Sequence, residues 1–491
     1  MRNFLVICFC LFMLSVSAQR ELAPPEMKAD LAVLHKAWTS LHPGLYRYNT
    51  PGEIEQEFRH ARERCMAPLP ERRFYIVLSQ LAQQVKCGHT YLNPLNLDKE
   101  TALRILPRSV FPVFFEITGY KHIIITHVPD KTSPLQRGDE IISINGIPAH
   151  RILDSLLTVS RADGNHALGK KYFNMNETPD EADGYSLFDI YFPLFFKASD
   201  QWLLEIKHYG KKITEKYPVK LTSLTDRMKA YNERYGEVPT GEKSWAYRLI
   251  GKHTAYAKFG TFAFWTSGFN EKKYVDSIFK DIRLHPLVKN LIIDIRNNEG
   301  GDNTGDYILS YITNHQLGCD DPDHHCFRFL TVPDTLLPYL TTWDKSFKAP
   351  KDPLQFFINR IGLYEQRPDS GGCAYIQPQA EPFNGKVFLL TNAKNSSAGY
   401  EMARNVKVNK LGFLVGETTG GSQQGINGGQ FFFLTLPHSK FEIDLPLIFN
   451  YHPNGRDAGI KPDFTVNTTQ QSIYTGKGPQ LEYVLSMIRN Y

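Results

Sequence analysis

LIIDIRNNEGGDN, residues 291–303, and KNSSAGYEMA, residues 394–403, decide how this chain is read. The first opens as an apolar run broken only by Asp294, the pattern of a short strand in a sheet covered on both faces. It runs into polar residues and the glycine pair Gly300 and Gly301. Asp294 reads as structural, pairing with nearby backbone or Arg296. The second stretch sets a serine in a Ser-Ala-Gly turn that opens a helix. A hydroxyl at a helix N-terminus and a glycine turn at a strand end are two halves of an acyl-transfer site. One half attacks, and the other offers backbone N–H groups to the oxyanion.

Outward from these stretches, the C-terminal half alternates strand and helix. Strands are expected at 253–259, 291–295, 386–390 and 412–415, with helices at 269–284 and from 397 to about 409. A loop-rich insertion covers 316–380. The glycine-rich GETTGGSQQGINGG, 416–429, leads into a β hairpin formed by 431–436 and 441–448. Toward the N-terminus, residues 24–87 read as helical, with apolar residues at helical spacing in 27–41 and 74–85. This helical cap ends in KCGHTYLNP, 86–94, where Gly88 breaks the helix just before His89. Residues 104–222 read as mainly β, with strands at 110–117, 122–127, 202–208 and 217–221. Their centre is SPLQRGDEIISINGIPAHRILDSLL, 133–157, whose Asn145-Gly146 pair signals a hairpin. A polar, aromatic-rich stretch at 160–200 interrupts the pattern. Its Tyr and Phe residues either line a groove or enter the core.

The first 18 residues read as a secretory signal: Arg2 supplies the positive charge, 4–16 is apolar, and Val16-Ser17-Ala18 suits cleavage near Ala18. The apolar run is too short for a comfortable membrane span, so export to the periplasm or beyond is expected. Neither Cys8 nor Cys10 stands where a lipid-anchored cysteine would. The net charge of +5 is small for 491 residues, and no basic run is present, which argues against nucleic acid as a partner. Of seven cysteines, Cys65, Cys87, Cys319, Cys326 and Cys373 follow the signal. Cys319 and Cys326 are spaced to close a short disulfide loop.

Taken in order, LQRGDEIISING, LIIDIRNNEGG, NSSAG with LGFLVGETTGG, and AGIKPDFTV resemble the S41 peptidases, the C-terminal-processing and tricorn-core proteases. The resemblance covers nearly the whole mature chain. It implies a mixed, multidomain α/β protein: a helical N-terminal cap (19–103), a PDZ-like β domain with an insertion (104–222), and a crotonase/ClpP-like catalytic core (245–491). It also implies an exported serine endopeptidase that acts on protein or peptide substrates without metal or cofactor. Ser396 and Ser397 compete as nucleophile. The Gly-Glu-Thr element at Gly416 lies 19 residues after Ser397, the family's offset, so Ser397 is expected to attack.

The family's common lysine base would fall at Ser422, and no lysine occurs between Lys410 and Lys440. The tricorn-like branch instead uses a histidine from the N-terminal part, and His89 occupies the matching place; imidazole titrates where a base is useful. Gly88 stands where that branch carries a serine. Asp457 lies near the family's acidic position and is the expected orienting carboxylate, or else a turn aspartate in NGRDAG. The oxyanion donors are the N–H of Ala398 and that of Gly300 or Gly301. Gly138, Asp139 and Ile141 of the PDZ-like motif are expected to hold an extended peptide at a sheet edge, or to serve only as scaffold.

His324, His325, Cys319 and Cys326 match no common zinc pattern and read as a loop or local disulfide. The glycine-rich loop lacks the Gly-Lys-Ser/Thr ending of a phosphate loop. Two other functions remain open: a non-catalytic peptide-binding pseudoprotease, motivated by the missing lysine, and an esterase-like hydrolase using the same serine.

Overall fold

The computed structural model describes residues 20–179, 185–196, 201–265, 267–318, 324–367 and 375–489. The expected signal sequence, Cys319 and Cys373 lie outside them. Among the described residues no helix is long and apolar enough to cross a membrane.

The C-terminal half is built on a six-stranded sheet in the order Phe464–Thr465, Phe413–Gly416, Lys386–Thr391, Asn290–Asp294, Thr254–Phe259, Trp245–Ile250. All pairings are parallel except the last. Period-two alternation explains the uninterrupted apolar run of its central strand. Leu291 and Ile293 enter one core with helices Glu271–Leu284 and Ser397–Val408. Ile292 enters the opposite core, against helix Pro479–Arg489. All three are fully buried, so both faces of the sheet are covered, as expected. Asp294 is buried as well, bonded to Arg296 at 2.6 Å and to the Tyr256 hydroxyl at 2.8 Å.

A second six-stranded sheet grows from the expected hairpin, here Gly425–Thr435 against Glu442–Tyr451, with a bulge between Gly428 and Phe431. The 316–380 insertion is less loop-like than its sequence: His324–Phe327, Tyr364–Gln366 and Phe356–Ile358 extend this sheet. Strands of three or four residues are too short to display alternation. His324 therefore sits on a strand and pairs with the Glu365 carboxylate, while Cys326 is a free, buried thiol. The described residues hold no cluster of three or more metal-ligating side chains.

The cap helices Pro24–Leu41, Pro51–Arg64 and Glu71–Gln84 do not form a core of their own. Thr50 caps the second through a reciprocal bond pair with Glu53. Phe74 and Tyr75 of the third pack on Phe441 beside the hairpin, with ring centroids 6.3 and 5.0 Å apart. After this helix the chain turns through Cys87-Gly88-His89 and lies along the hairpin, where Asn93 N–H donates to Glu442 O (3.0 Å) and Asp444 N–H to Tyr91 O (3.0 Å). Cap and hairpin thus share one core, and that sharing carries His89 into the C-terminal half.

The expected PDZ-like unit is an antiparallel sheet, Phe114–Thr118, His122–His127, Glu140–Ile144, Gln201–Lys207, Glu215–Lys220. Gly138, Asp139 and Ile141 are not at its edge. Ile141 is buried in a central strand, flanked by Ile123 and Ile206. Asp139 is paired with His208 at 2.9 Å, and Gly138 packs on Tyr474. None can receive a peptide strand, because their flanking positions are already filled. One edge, Phe114–Thr118, is bridged by the chain itself: Phe115 and Glu177 exchange two backbone bonds of 2.9 and 3.0 Å, and Ile117 N–H donates to Asn176 Oδ1 at 2.8 Å.

The 160–200 stretch thus supplies a self-made edge partner. Its aromatics divide between the two expected roles: Phe188 and Phe192 enter the core against Phe111 and Trp202, while Phe173 and Tyr185 line a groove. Arg227 locks this arrangement, pairing with Glu177 (2.9 Å) and Asp189 (2.8 Å), all three side chains nearly inaccessible. Removing one member leaves an uncompensated buried charge. Arg227→Ala is therefore expected to cost about 3–5 kcal/mol, measured as a lowered denaturation midpoint in urea.

Candidate active site

The loop after strand Lys386–Thr391 is held by a buried amide. Asn395 Nδ2 donates to Ile295 O (2.5 Å) and Asn298 O (3.1 Å), and its Oδ1 accepts from Asn392 N–H (2.8 Å). This fastens the serine loop to the end of the neighbouring strand. Ser396 occupies the N-cap position with extended φ, but its side chain makes no capping bond. Ser397 begins helix Ser397–Val408 at φ +48°, a left-handed conformation that costs an L-residue about 1–2 kcal/mol. Among the described residues nothing hydrogen-bonds its hydroxyl. A strained serine with an uncommitted hydroxyl, at a strand-to-helix turn, is what a nucleophile requires and an ordinary helix cap does not.

Against this turn lies the glycine pair, at φ +105° for Gly300 and +143° for Gly301. A Cβ on Gly300 would stand 2.7 Å from Ala398 N and 2.8 Å from Ser397 Cβ; on Gly301, 2.1 Å from the Phe262 backbone. Only glycine permits either approach. The two are not equivalent as donors. Gly300 N–H is already spent on Asn298 Oδ1 at 2.8 Å. The N–H groups of Gly301 and Ala398 have no acceptor among the described residues.

His89 is half-buried, its ring centroid 5.8 Å from that of Phe431. Burial pushes its pKa below the usual 6.5, opposed by the field of Asp163. Its Nδ1 is buried without a hydrogen-bond partner among the described residues. Asp163, a carboxylate that local sequence does not single out, accepts from Gly88 N–H at 3.1 Å and pairs with Arg47 at 3.2 Å. A Cβ on residue 88 would fall 2.8 Å from Asp163 Oδ2. This explains the glycine where the tricorn-like pattern carries a serine.

Asp457 does not orient His89. It is bound to His166 Nδ1 at 2.6 Å and accepts from Asn165 N–H at 3.0 Å. Its carboxylate therefore supports the 160–200 insertion, because the insertion comes between it and the His89 loop.

Four charges unmarked in the sequence reading surround the glycine turn. The Glu299 carboxylate contacts Lys170 at 2.5 Å and Lys394 at 3.8 Å. Partial desolvation would raise the pKa of this half-exposed side chain, but Lys170 and Lys394 outweigh it and hold the carboxyl well below its usual range. Arg161 Cζ sits over the Tyr91 ring, 3.3 Å from its centroid. Thr90, Leu95, Phe173, Arg161, Glu299 and Lys394 contribute to the walls of a groove of about 160 Å³. A larger cleft of about 970 Å³ opens between the antiparallel sheet of Phe114–Thr118 and the carboxyl ends of the parallel strands, where ligands of open α/β sheets commonly bind. Glu299 and Lys394 had a sequence signal, their places inside RNNEGG and at the head of KNSSAG; Lys170 and Arg161 had none.

The model of peptidase family S41 matches residues 344–466, the segment holding Ser397, the glycine-rich loop and Asp457. Among solved structures, the fold is similar to mature CPAF: TM-score 0.61 and 15% identity over 94% of this chain and 96% of that one. CPAF complexed with lactacystin gives TM-score 0.61 and 14% identity over 94% and 97%. The photosystem II D1 C-terminal processing protease aligns over 90% and 93% at 15% identity and TM-score 0.39. No curated protein matches the chain. The S41 resemblance and the mixed α/β class expected from sequence are both borne out.

Proposed function

We propose that this chain is an exported serine endopeptidase, with Ser397 as nucleophile, His89 as general base, and the N–H groups of Ala398 and Gly301 as the oxyanion hole. One observation carries the reading: among the described residues the Ser397 hydroxyl and the N–H groups of Ala398 and Gly301 have no hydrogen-bond partner, and the glycine turn abuts Ser397 and Ala398 through Gly300. Gly301 and Ala398 are half-exposed, so both N–H groups are open to a ligand, and a tetrahedral oxyanion would engage both donors at once. In the reaction, Ser397 Oγ bonds to the peptide carbonyl carbon as its proton passes to His89. The C–N bond then breaks, and the proton passes from His89 to the leaving amine. Water, deprotonated by His89, then bonds to the acyl carbon; the ester C–Oγ bond breaks, and His89 returns the proton to Ser397 Oγ. The apolar segment after Arg2 supports export.

A fluorophosphonate probe tests the assignment. Wild type is expected to label on Ser397, and labelling elsewhere would remove Ser397 as nucleophile. Gly300→Ala should lower kcat by about 10²-fold, because its new methyl displaces Ser397 and Ala398, and misplacement near 1 Å costs about that much. Progress curves corrected for the titrated fraction of active sites measure this.

A pseudoprotease is the second reading. The observation favouring it is the unpartnered His89 Nδ1, with Asp457 committed elsewhere. Tight peptide binding with neither labelling nor turnover would select it.

A further inference from the structure

We infer that Lys170 is a positioning residue that sets the spacing between the two oxyanion-donor segments, acting from a strap, residues 163–170, that ties together the scattered parts of the site. The inference rests on the peptidase reading above and adds to it a residue outside the family's motifs.

The geometry is specific. Lys170 lies on helix Leu168–Phe173 in the insertion of the PDZ-like unit. Its Nζ donates to Glu299 Oε1 at 2.5 Å and to Lys394 O at 3.1 Å. Glu299 immediately precedes the glycine pair, and Lys394 stands three residues before Ser397. One ammonium therefore bridges the two segments whose N–H groups must converge on a single oxygen. Its stem passes beneath the 419–421 loop, where a Cβ on Gly420 would fall 2.9 Å from Lys170 Cδ. Gly420 is itself fixed, donating its N–H to Asn395 O at 2.8 Å.

The rest of the strap is anchored at each step. Asp163 accepts from Gly88 N–H (3.1 Å), and Gly164 N–H donates to Lys86 O (3.0 Å), which fixes the His89 loop. His166 bridges Asp457 Oδ1 (2.6 Å) and Gly421 O (3.2 Å). Eight consecutive residues thus contact the base loop, the acidic Asp457 and both donor segments.

A buried lysine loses solvation and side-chain freedom. Here it is retained where three donors on one atom can hold a carboxylate and a carbonyl together, which an apolar side chain of equal length cannot do. Oxyanion stabilisation depends on donors placed in advance, so loosening this bridge affects the transition state more than substrate binding.

The test measures kcat and KM per titrated active site for wild type, Lys170→Met, Glu299→Ala and the double variant, together with the affinity of a peptide boronate. The expected result is a kcat about 10²-fold lower in Lys170→Met, KM within about twofold, and boronate affinity falling in parallel. Glu299→Ala should lose kcat in the same sense, and the double variant should lose little more than either single one. A Lys170→Met enzyme that keeps kcat within threefold per active site would overturn the inference alone. So would a loss confined to the fraction of active sites, because that is a folding effect. A wild type that neither labels nor hydrolyses peptide would instead remove the peptidase reading, and this inference with it.

Discussion

Ser397→Ala is expected to lower kcat by about 10⁶-fold, the scale seen when a triad serine is deleted in subtilisin, with no loss of thermal stability. The second half separates chemistry from structure. Ser397 Oγ has no hydrogen bond to lose among the described residues, and alanine meets the same left-handed φ of +48°. Ser397→Gly should be equally inactive and at least as stable as wild type, since glycine enters that region without steric cost. Hydrolysis progress curves and thermal midpoints for the three proteins check both halves. More than a few per cent of wild-type kcat in Ser397→Ala would end its role as nucleophile.

His89→Ala should cost about 10⁴-fold or more in kcat, and the wild-type pH profile should carry the imprint of this ring. Burial disfavours the imidazolium, so the His89 pKa lies below 6.5. In the proposed reaction the neutral ring is the base. Activity is therefore full above the folded-state pKa and falls as pH drops through it. The acid limb of kcat/KM is expected below pH 6.5 and absent from the residual activity of His89→Ala. An acid limb at or above pH 6.5 would contradict the buried, neutral base, as would an unchanged limb in the variant.

The strands of the parallel sheet were legible because each is a local pattern. Expected segments at 291–295, 386–390 and 412–415 correspond to Asn290–Asp294, Lys386–Thr391 and Phe413–Gly416. A strand buried on both faces needs an unbroken apolar run, and such a run is visible without any neighbour. The glycine pair was legible too, but not the division of labour within it. That depends on Asn298 Oδ1 taking the Gly300 N–H.

Residues 160–200 were the least legible. They carry no single period, because they serve three surfaces at once: Glu177 closes a sheet edge, Phe188 and Phe192 fill a core, and residues 163–170 bind the site. The expected peptide-binding role of Gly138, Asp139 and Ile141 failed because the motif marks a strand and its turn, whereas whether that strand is an edge depends on distant partners, and here Ile141 lies between Ile123 and Ile206.

From sequence alone came the local chemistry: a serine at a helix start, a glycine turn at a strand end, and a histidine after a helix break. These are properties of a few adjacent residues, where φ preferences and apolar spacing act. Tertiary structure alone decided which groups meet. Asp457 joins His166 across 291 positions rather than orienting His89, and Lys170 reaches Glu299 across 129. Such pairings follow from how whole layers pack, and no short stretch of chain carries that information.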